Sequence, residues 1–307
     1  MLNVNTKSGV KGVYSYKVTR ENGDIVEGNS KNMILDNILK VTQQYGLYYS
    51  MSCYYLEVGS GTTPVTSADT GIETSLATHT GYKTGTYTER LEGLTRFRKL
   101  TATWVLPIGN IVGTVTELCA KSGHGHPVSR VLLTDISGNP TSLTLTATDQ
   151  LTVVYELEVE IPNFDSSVTL NLYGVDTVCR LVSVNALSET SKHGVDNYKI
   201  YATYNRAFHE PVTITDAGEV FLHADYPNNT YAKGVITAGA YQNTAQQSVK
   251  NKIVYAPEDA NGNIYAIGFY VDSARIRQVL TFDPPLPKTS ADKVTIEMVV
   301  SSTMVSI

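Results

Sequence analysis

Gly59-Ser60-Gly61-Thr62-Thr63 closes the apolar run Tyr54-Tyr55-Leu56-Glu57-Val58, and a glycine-bearing turn after a strand is the setting in which backbone amides cradle phosphate. The Walker version needs a Lys followed by Ser or Thr after its second glycine, because the ammonium holds the β- and γ-phosphates. Here Gly61 leads into Thr62-Thr63-Pro64, with no lysine before Lys83, and Pro64 favours an extended exit over a helix. The third glycine of a dinucleotide fingerprint is missing too. The stretch therefore reads as a shaped surface turn: the glycines permit a sharp reversal, and Asp69-Thr70 and Leu76 are expected to lay a crossing segment over a sheet edge.

Other chemical groupings are equally incomplete. His124 and His126 alternate in "SGHGHP", but a closed zinc site wants four ligands and neither Cys-x-x-Cys nor HExxH accompanies them. His79, His193, His209 and His223 stand singly. No Gly-x-Ser-x-Gly elbow occurs. "DANGN" at Asp259 to Asn263 has its glycine too early for a calcium loop and no Glu at the twelfth position, so it reads as a turn. Glu156, Glu158 and Glu160 alternate along one segment, which makes them the solvent side of a half-buried strand with Tyr155, Leu157, Val159 and Ile161 inward. Tyrosines gather at 45, 48, 49, 54 and 55 and again at 198, 201 and 204. An exposed tyrosine joins an apolar body to a polar tip, so Tyr48, Tyr49, Tyr226, Tyr231 and Tyr241 are the candidate interaction surface. The chain offers no catalytic constellation, and neither a cofactor nor a metal is expected.

The elements that would position these groups are strands. "VYSYKVTRENGDIVEG" alternates on both sides of an Asn22-Gly23 turn, which predicts a hairpin. Ile34, Leu35, Ile38, Leu39, Thr42 and Tyr45 recur at helical spacing, with Asn29 or Ser30 as cap and Gly46 as stop, which predicts a helix over 30–45. "FRKLTATWVLP" and "TVTELCAK" read as neighbouring strands joined through Pro107 to Gly113, and "SRVLLTDI" and "LTVVYELEVEI" follow. The same texture continues beyond Pro162, including a second Asn-Gly hairpin at Asn261-Gly262. "SRVLLTDISGNPTSLTLTATDQLTVVYELEV" lies over "IRQVLTFDPPLPKTSADKVTIEMVV", matching Arg130 to Arg277, Leu133 to Leu280, Asp149 to Asp292, Leu151 to Val294 and Val153 to Ile296. The expected architecture is all-β: two β-sandwich-like domains, 1–162 and 163–307, with one N-terminal α-helix. The echo allows the second domain to be a related duplicate of the first.

Composition narrows the function classes. The chain has 307 residues, of which only 17% are charged, and 20 Tyr stand against 6 Phe and 1 Trp, a balance suited to pleated, half-buried surfaces. A net charge of -5 without a basic run provides no electrostatic footprint for nucleic acid. No stretch approaches the roughly 18 apolar residues of a membrane helix, and the start "MLNVNTKSGVKG" lacks the apolar core of a signal peptide. Cys53, Cys119 and Cys179 are odd in number, far apart and set in apolar contexts, as buried free thiols made in a reducing cytoplasm would be.

Taken in order, "NMILDNIL", "YYLEVGSGTTPVTSADTGIETSLAT", "FRKLTATWVLP", "VTELCA", "SRVLLTDI" and "TATDQLTVVYELEVEI" resemble a pattern found in minor structural proteins of tailed bacteriophages. Members have an Asn-led helix, a strand ending in VGxGTT, a later strand with EL or EIGL, an R..L strand and a closing LtV.Y.l.v strand. This chain departs from the pattern with Leu118-Cys119, where Gly-Leu is common, and with its Thr-rich stretch 78–88. The resemblance extends through Ile161, about half the chain. It implies a β-sandwich assembly module and no enzyme: a tail, baseplate, collar or fibre-attachment subunit in a virion assembled in the host bacterial cytoplasm. Its partners would be other virion proteins and copies of itself in a ring or trimer. An alternative gives the second half a receptor-binding role toward a host surface glycan through Tyr226, Tyr231 and Tyr241; a third reading is a polysaccharide depolymerase.

Overall fold

The computed structural model describes residues 2–38, 41–42, 51–82, 84–92, 95–161, 165–183, 204–208, 213–214, 220–221, 235–238, 246–257, 261–272 and 275–306. The described chain is mostly β-strand, as the Thr, Val and Tyr usage predicts. It divides into two compact units: Ser8–Glu92 with Arg96–Ile161 and Met304–Ile307, and Pro162–Thr303 with Met1–Lys7 and Gly93–Thr95.

The first unit is built from β1 (Leu2–Thr19) from Ser8 onward, β2 (Ile25–Lys31), β3 (Met33–Ile34), β4 (Tyr55–Gly59), β5 (Ser75–Thr80) and β6 (Thr84–Glu92). It continues with β7 (Thr95–Val105), β8 (Gly113–Val115), β9 (Glu117–Lys121), β10 (Pro127–Leu132), β11 (Leu143–Leu145) and β12 (Gln150–Ile161). One sheet runs β2-β1-β12-β7-β6, a second runs β3-β10-β9-β4-β5, and β8 pairs with β11. The predicted hairpin is present: β1 pairs β2 from Thr19↔Ile25 to Val13↔Lys31. Its turn is closed by Arg20 and Asp24 (N–H to O, 2.9 Å), and Gly23 takes the left-handed conformation at φ 87° that glycine adopts without strain.

In the central strand of the first sheet, Leu151, Val153, Tyr155, Leu157 and Val159 are all buried, as their alternation predicts. Each such side chain contributes about 1.5–3 kcal/mol relative to an exposed one. The glutamates between them point outward, where Lys99 pairs with Glu156 at 2.7 Å and Lys11 with Glu158 at 2.8 Å. An exposed pair such as Lys99–Glu156 adds little stability. The inner faces of the two sheets meet through Tyr14, whose ring stacks on Tyr155 at 4.3 Å and whose hydroxyl bonds Ser129 Oγ of β10 at 2.8 Å. That contact gives the unit its sandwich-like core.

Three expectations need correction. The helix over 30–45 is not seen: Ser30 and Lys31 end β2, and Met33–Ile34 form β3 against Arg130 and Ser129. Among the described residues of that stretch only Asn37, Ile38, Val41 and Thr42 are helical, and 39–40 and 43–50 lie outside the description. Of the residues whose spacing suggested a helix, Ile34, Leu35, Ile38 and Thr42 are buried, and Leu39 and Tyr45 lie outside the description. Second, β7 and β9 are not neighbours; β7 pairs β12, β9 pairs β4 and β10, and the chain changes sheets between them. Third, Asn261-Gly262 makes no hairpin. Gly262 opens β20 (Gly262–Asp272), whereas the preceding β19 (Gln246–Tyr255) belongs to another sheet.

The second unit contains β13 (Asp165–Leu172), β14 (Val175–Ser183), β15 (Tyr204–Phe208), β16 (Thr213–Ile214), β17 (Val220–Phe221), β18 (Val235–Ala238), β19 and β20, with β21 (Arg275–Lys288) and β22 (Val294–Ser306). One sheet runs β13-β14-β21-β20-β15; β19 lies between β18 and β22, and β16 pairs with β17. Cys179, Leu181, Ile264, Ile267, Leu280 and Phe282 are buried within it. Each unit enters its last long strand through the same turn. Thr146 donates its N–H to Asp149 at 2.7 Å before β12, and Thr289 donates to Asp292 at 2.8 Å before β22. The residues just beyond, Leu151 and Val294, are both buried. These are positions that the internal echo pairs.

Candidate functional site

The loop between β4 and β5 is the place where the sequence raises a phosphate-binding question. β4 runs beside β9 with Gly59 opposite Glu117, which brings the start of the loop onto the first residue of β9. Thr116 then ties both ends of the glycine pair, donating its N–H to Gly59 O (2.9 Å) and its hydroxyl to Gly61 O (2.6 Å). The amides of 61, 62 and 63 are thereby turned to the inside of the loop, an arrangement that can grip an anion.

The anions are the chain's own. Glu117, completely buried, accepts from Gly61 N at 2.7 Å, Glu73 N at 3.1 Å and Thr74 N at 3.1 Å. Glu73 takes the remaining two amides, Thr62 N at 2.9 Å and Thr63 N at 2.8 Å, on one oxygen. Opposite them, the buried Arg130 of β10 grips Glu117 through Nε and Nη2, both at 2.8 Å, and reaches Asp69 with Nη1 at 2.6 Å. Asp69 is itself fixed by Thr66, which donates its hydroxyl at 2.7 Å. A buried charge is tolerated only when paired and hydrogen-bonded, and this network meets that requirement on both sides.

The titration behaviour follows from these contacts. Burial works to raise the Asp69 pKa, but bonds from Thr66 and Arg130 outweigh it and hold the carboxyl below its ordinary value. Glu73 is held low chiefly by the amide of Thr63. Burial opposes the Arg130 charge, while Asp69 and Glu117 more than restore it. All three carboxylates thus serve as acceptors for the loop, and Asp69 and Glu117 accept from the guanidinium, with Glu73 3.8 Å from it. No phosphate could enter without displacing them.

Within this loop, Gly61 leaves no room for a side chain. A Cβ there would sit 2.3 Å from Glu117 Oε1 and 2.4 Å from Glu73 Cβ. We expect Gly61→Ala to destabilise the first unit by about 1–3 kcal/mol, the usual range for overpacking. Thermal unfolding followed by circular dichroism measures it, and an unchanged midpoint would mean the loop rearranges freely.

The sequence missed what the loop does. Leu76 was expected to help cover a sheet edge, but it lies in β5, which is itself the edge strand, and it is exposed. Glu117 and Arg130 stood in the sequence as parts of "VTELCA" and "SRVLLTDI", with nothing local to tie them to a loop more than forty residues earlier. The other groups fall as follows. His124 and His126 lie in the β9–β10 turn, where Ser122 closes the loop by accepting from both backbone amides. Among the described residues no group of three or more His, Cys, Asp or Glu could hold a metal ion. All three cysteines are buried free thiols, and burial pushes the Cys119 thiol up to about 12. A broad open cleft of about 570 Å³ is lined by Arg20, Glu21, Asn22, Asp24 and the Thr146–Asp149 turn, with Arg20 and Asp149 already paired across it at 2.5 Å. Tyr48, Tyr49, Tyr226, Tyr231 and Tyr241 lie outside the described residues. Of the neighbouring tyrosines, Tyr54 is exposed and meets Tyr55 edge-on at 5.2 Å.

Comparison with known proteins found no matching family model, no matching curated protein and no matching solved structure.

Proposed function

We propose that this chain is a structural component of a tailed-phage virion: a tail, baseplate, collar or fibre-attachment subunit that acts by docking β-rich surfaces. In this reading its two halves, 1–162 and 163–307, are two sandwich-like domains, and copies assemble as a ring or trimer with other virion proteins after synthesis in the host cytoplasm. It turns over no substrate.

One observation carries the proposal. The residues on which the phage-protein resemblance rests, Gly59 and Gly61 of VGSGTT, Asp69, Glu117 of the EL strand and Arg130 of the R..L strand, converge on a single internally satisfied network. A pattern shared for catalysis would leave a donor, a nucleophile or a vacancy at its centre. A pattern shared for architecture would bring its residues together to fix a loop on a sheet, and that is the arrangement seen in the first unit. Geometry of this kind suits a part whose specificity comes from shape.

The test is genetic. Disrupting the gene in the phage or prophage that carries it is expected to yield particles that lack a tail or collar part by negative-stain electron microscopy. Morphologically complete, infectious particles would overturn the proposal. Complete particles that fail to adsorb would move the role to host-glycan recognition, and Tyr231→Ala with Tyr241→Ala would then have to reproduce that loss.

A further inference from the structure

The 60–74 loop is rooted where β4 meets β5, with Ser60 N–H on Thr74 O at 2.9 Å, and among the described residues its far end makes one backbone bond to the rest of the chain, from Asp36 N–H to Ser67 O at 2.8 Å. Between those points it is held mainly by carboxylates. Glu73 binds the loop to itself at Thr62 and Thr63, Glu117 binds both of its limbs at Gly61 and Thr74, and Asp69 ties its crest to Arg130. We propose that this loop is an acid-released arm: protonation of its carboxylate latch frees residues 60–74 while the strands beneath stay folded.

The charges facing the latch come from three strands. β9 supplies Glu117 and Lys121, β10 supplies Arg130, and β4 supplies Glu57, which is neutralised by Lys121 at 2.7 Å. Glu57 and Arg130 lie opposite Cys119 in the register, and Glu117 and Lys121 lie two residues to either side of it, which places all four on one face of the sheet. No second cation from these strands backs up Arg130 at the loop: Lys121 is engaged by Glu57. A protonated carboxyl accepts more weakly from an amide and no longer attracts a guanidinium, so each protonation removes part of the hold. Asp69 and Glu73 have folded-state values below the ordinary one, so their contribution is complete above the ordinary carboxylate range and is lost as pH falls through and below it. Glu73 is well exposed, so its protonation needs no prior unfolding. The strands beneath share the Glu117–Arg130 and Glu57–Lys121 pairs, but backbone ladders and apolar burial, which carry no such dependence, hold them as well. The arm does not depend on the virion proposal, since it follows from the latch alone.

Hydrogen exchange read by mass spectrometry on the full chain tests it, with rates normalised to the intrinsic rate at each pH. Between about pH 7 and about pH 3.5, just below the ordinary carboxylate values, protection in 60–74 should fall roughly tenfold or more, the scale of losing charge-assisted bonds. Peptides of β9 and β12 should keep theirs. Glu73→Gln, a change at an exposed side chain that leaves the fold intact, should lower protection at Thr62 and Thr63 already at neutral pH. Loop protection that does not change with pH, loss that coincides with β12, or a Glu73→Gln loop as protected as the native one would each overturn the proposal.

Discussion

Glu117→Leu is expected to destabilise the first unit by about 3–5 kcal/mol, the range found when one partner of a buried ion pair is removed. The leucine would leave Arg130 buried with Asp69 as its remaining close partner and strip the amides of Gly61, Glu73 and Thr74 of their acceptor. Unsatisfied buried donors are the expensive part of such a change. Trp104 is the chain's single tryptophan and is fully buried in β7, so its fluorescence reports this unit's unfolding in urea without interference from the other. The double variant Glu117→Leu with Arg130→Met should be more stable than Glu117→Leu alone, because it removes the stranded charge, yet remain below the native protein because the loop amides are still orphaned. A single variant within about 1 kcal/mol of native, the scale of an exposed pair, would show that the network is peripheral to the fold.

Trp104→Ala should be nearly as damaging, at about 3–5 kcal/mol, the usual loss for a large aromatic cut back to alanine in a core. The side chain packs on the inner face beside Val153, its partner on β12, and meets the ring of Tyr82 edge-on at 6.3 Å. Trp104→Phe separates two contributions. The indole Nε1–H is buried with no hydrogen-bond partner among the described residues, so phenylalanine removes an unsatisfied donor along with some packing area. Its net effect should therefore fall well short of the alanine loss, because phenylalanine keeps much of the buried ring packing. Near-ultraviolet circular dichroism of the tyrosines follows both variants. Equal losses for alanine and phenylalanine would mean that the indole nitrogen finds an acceptor in solution.

What the sequence revealed and what it concealed divide along a physical line. Alternation in β12 was legible because one face of the strand is buried and the other wet, so each residue's type reports its side directly. The β1–β2 hairpin was legible because Asn22-Gly23 is a local turn signal. The stretch after Ser30 was misread because burial at Ile34, Leu35 and Ile38 fits helical spacing, while the pairing that makes Met33–Ile34 a strand comes from β10, almost a hundred residues later. The same limit hid the change of sheet between β7 and β9, since nothing in Pro107 to Gly113 says which sheet the next strand joins. At the candidate site the glycines announced a tight loop. The partners that fill it, Glu117 and Arg130, lie on strands that only the folded sheet brings near.

The central claim is that the chain is a part of a particle, and copy number tests it most directly. Quantitative mass spectrometry of gradient-purified virus particles, with the major capsid protein as internal standard, should give a reproducible count consistent with a ring or trimer, far below that of the capsid protein. Absence of the chain from intact particles would contradict the account.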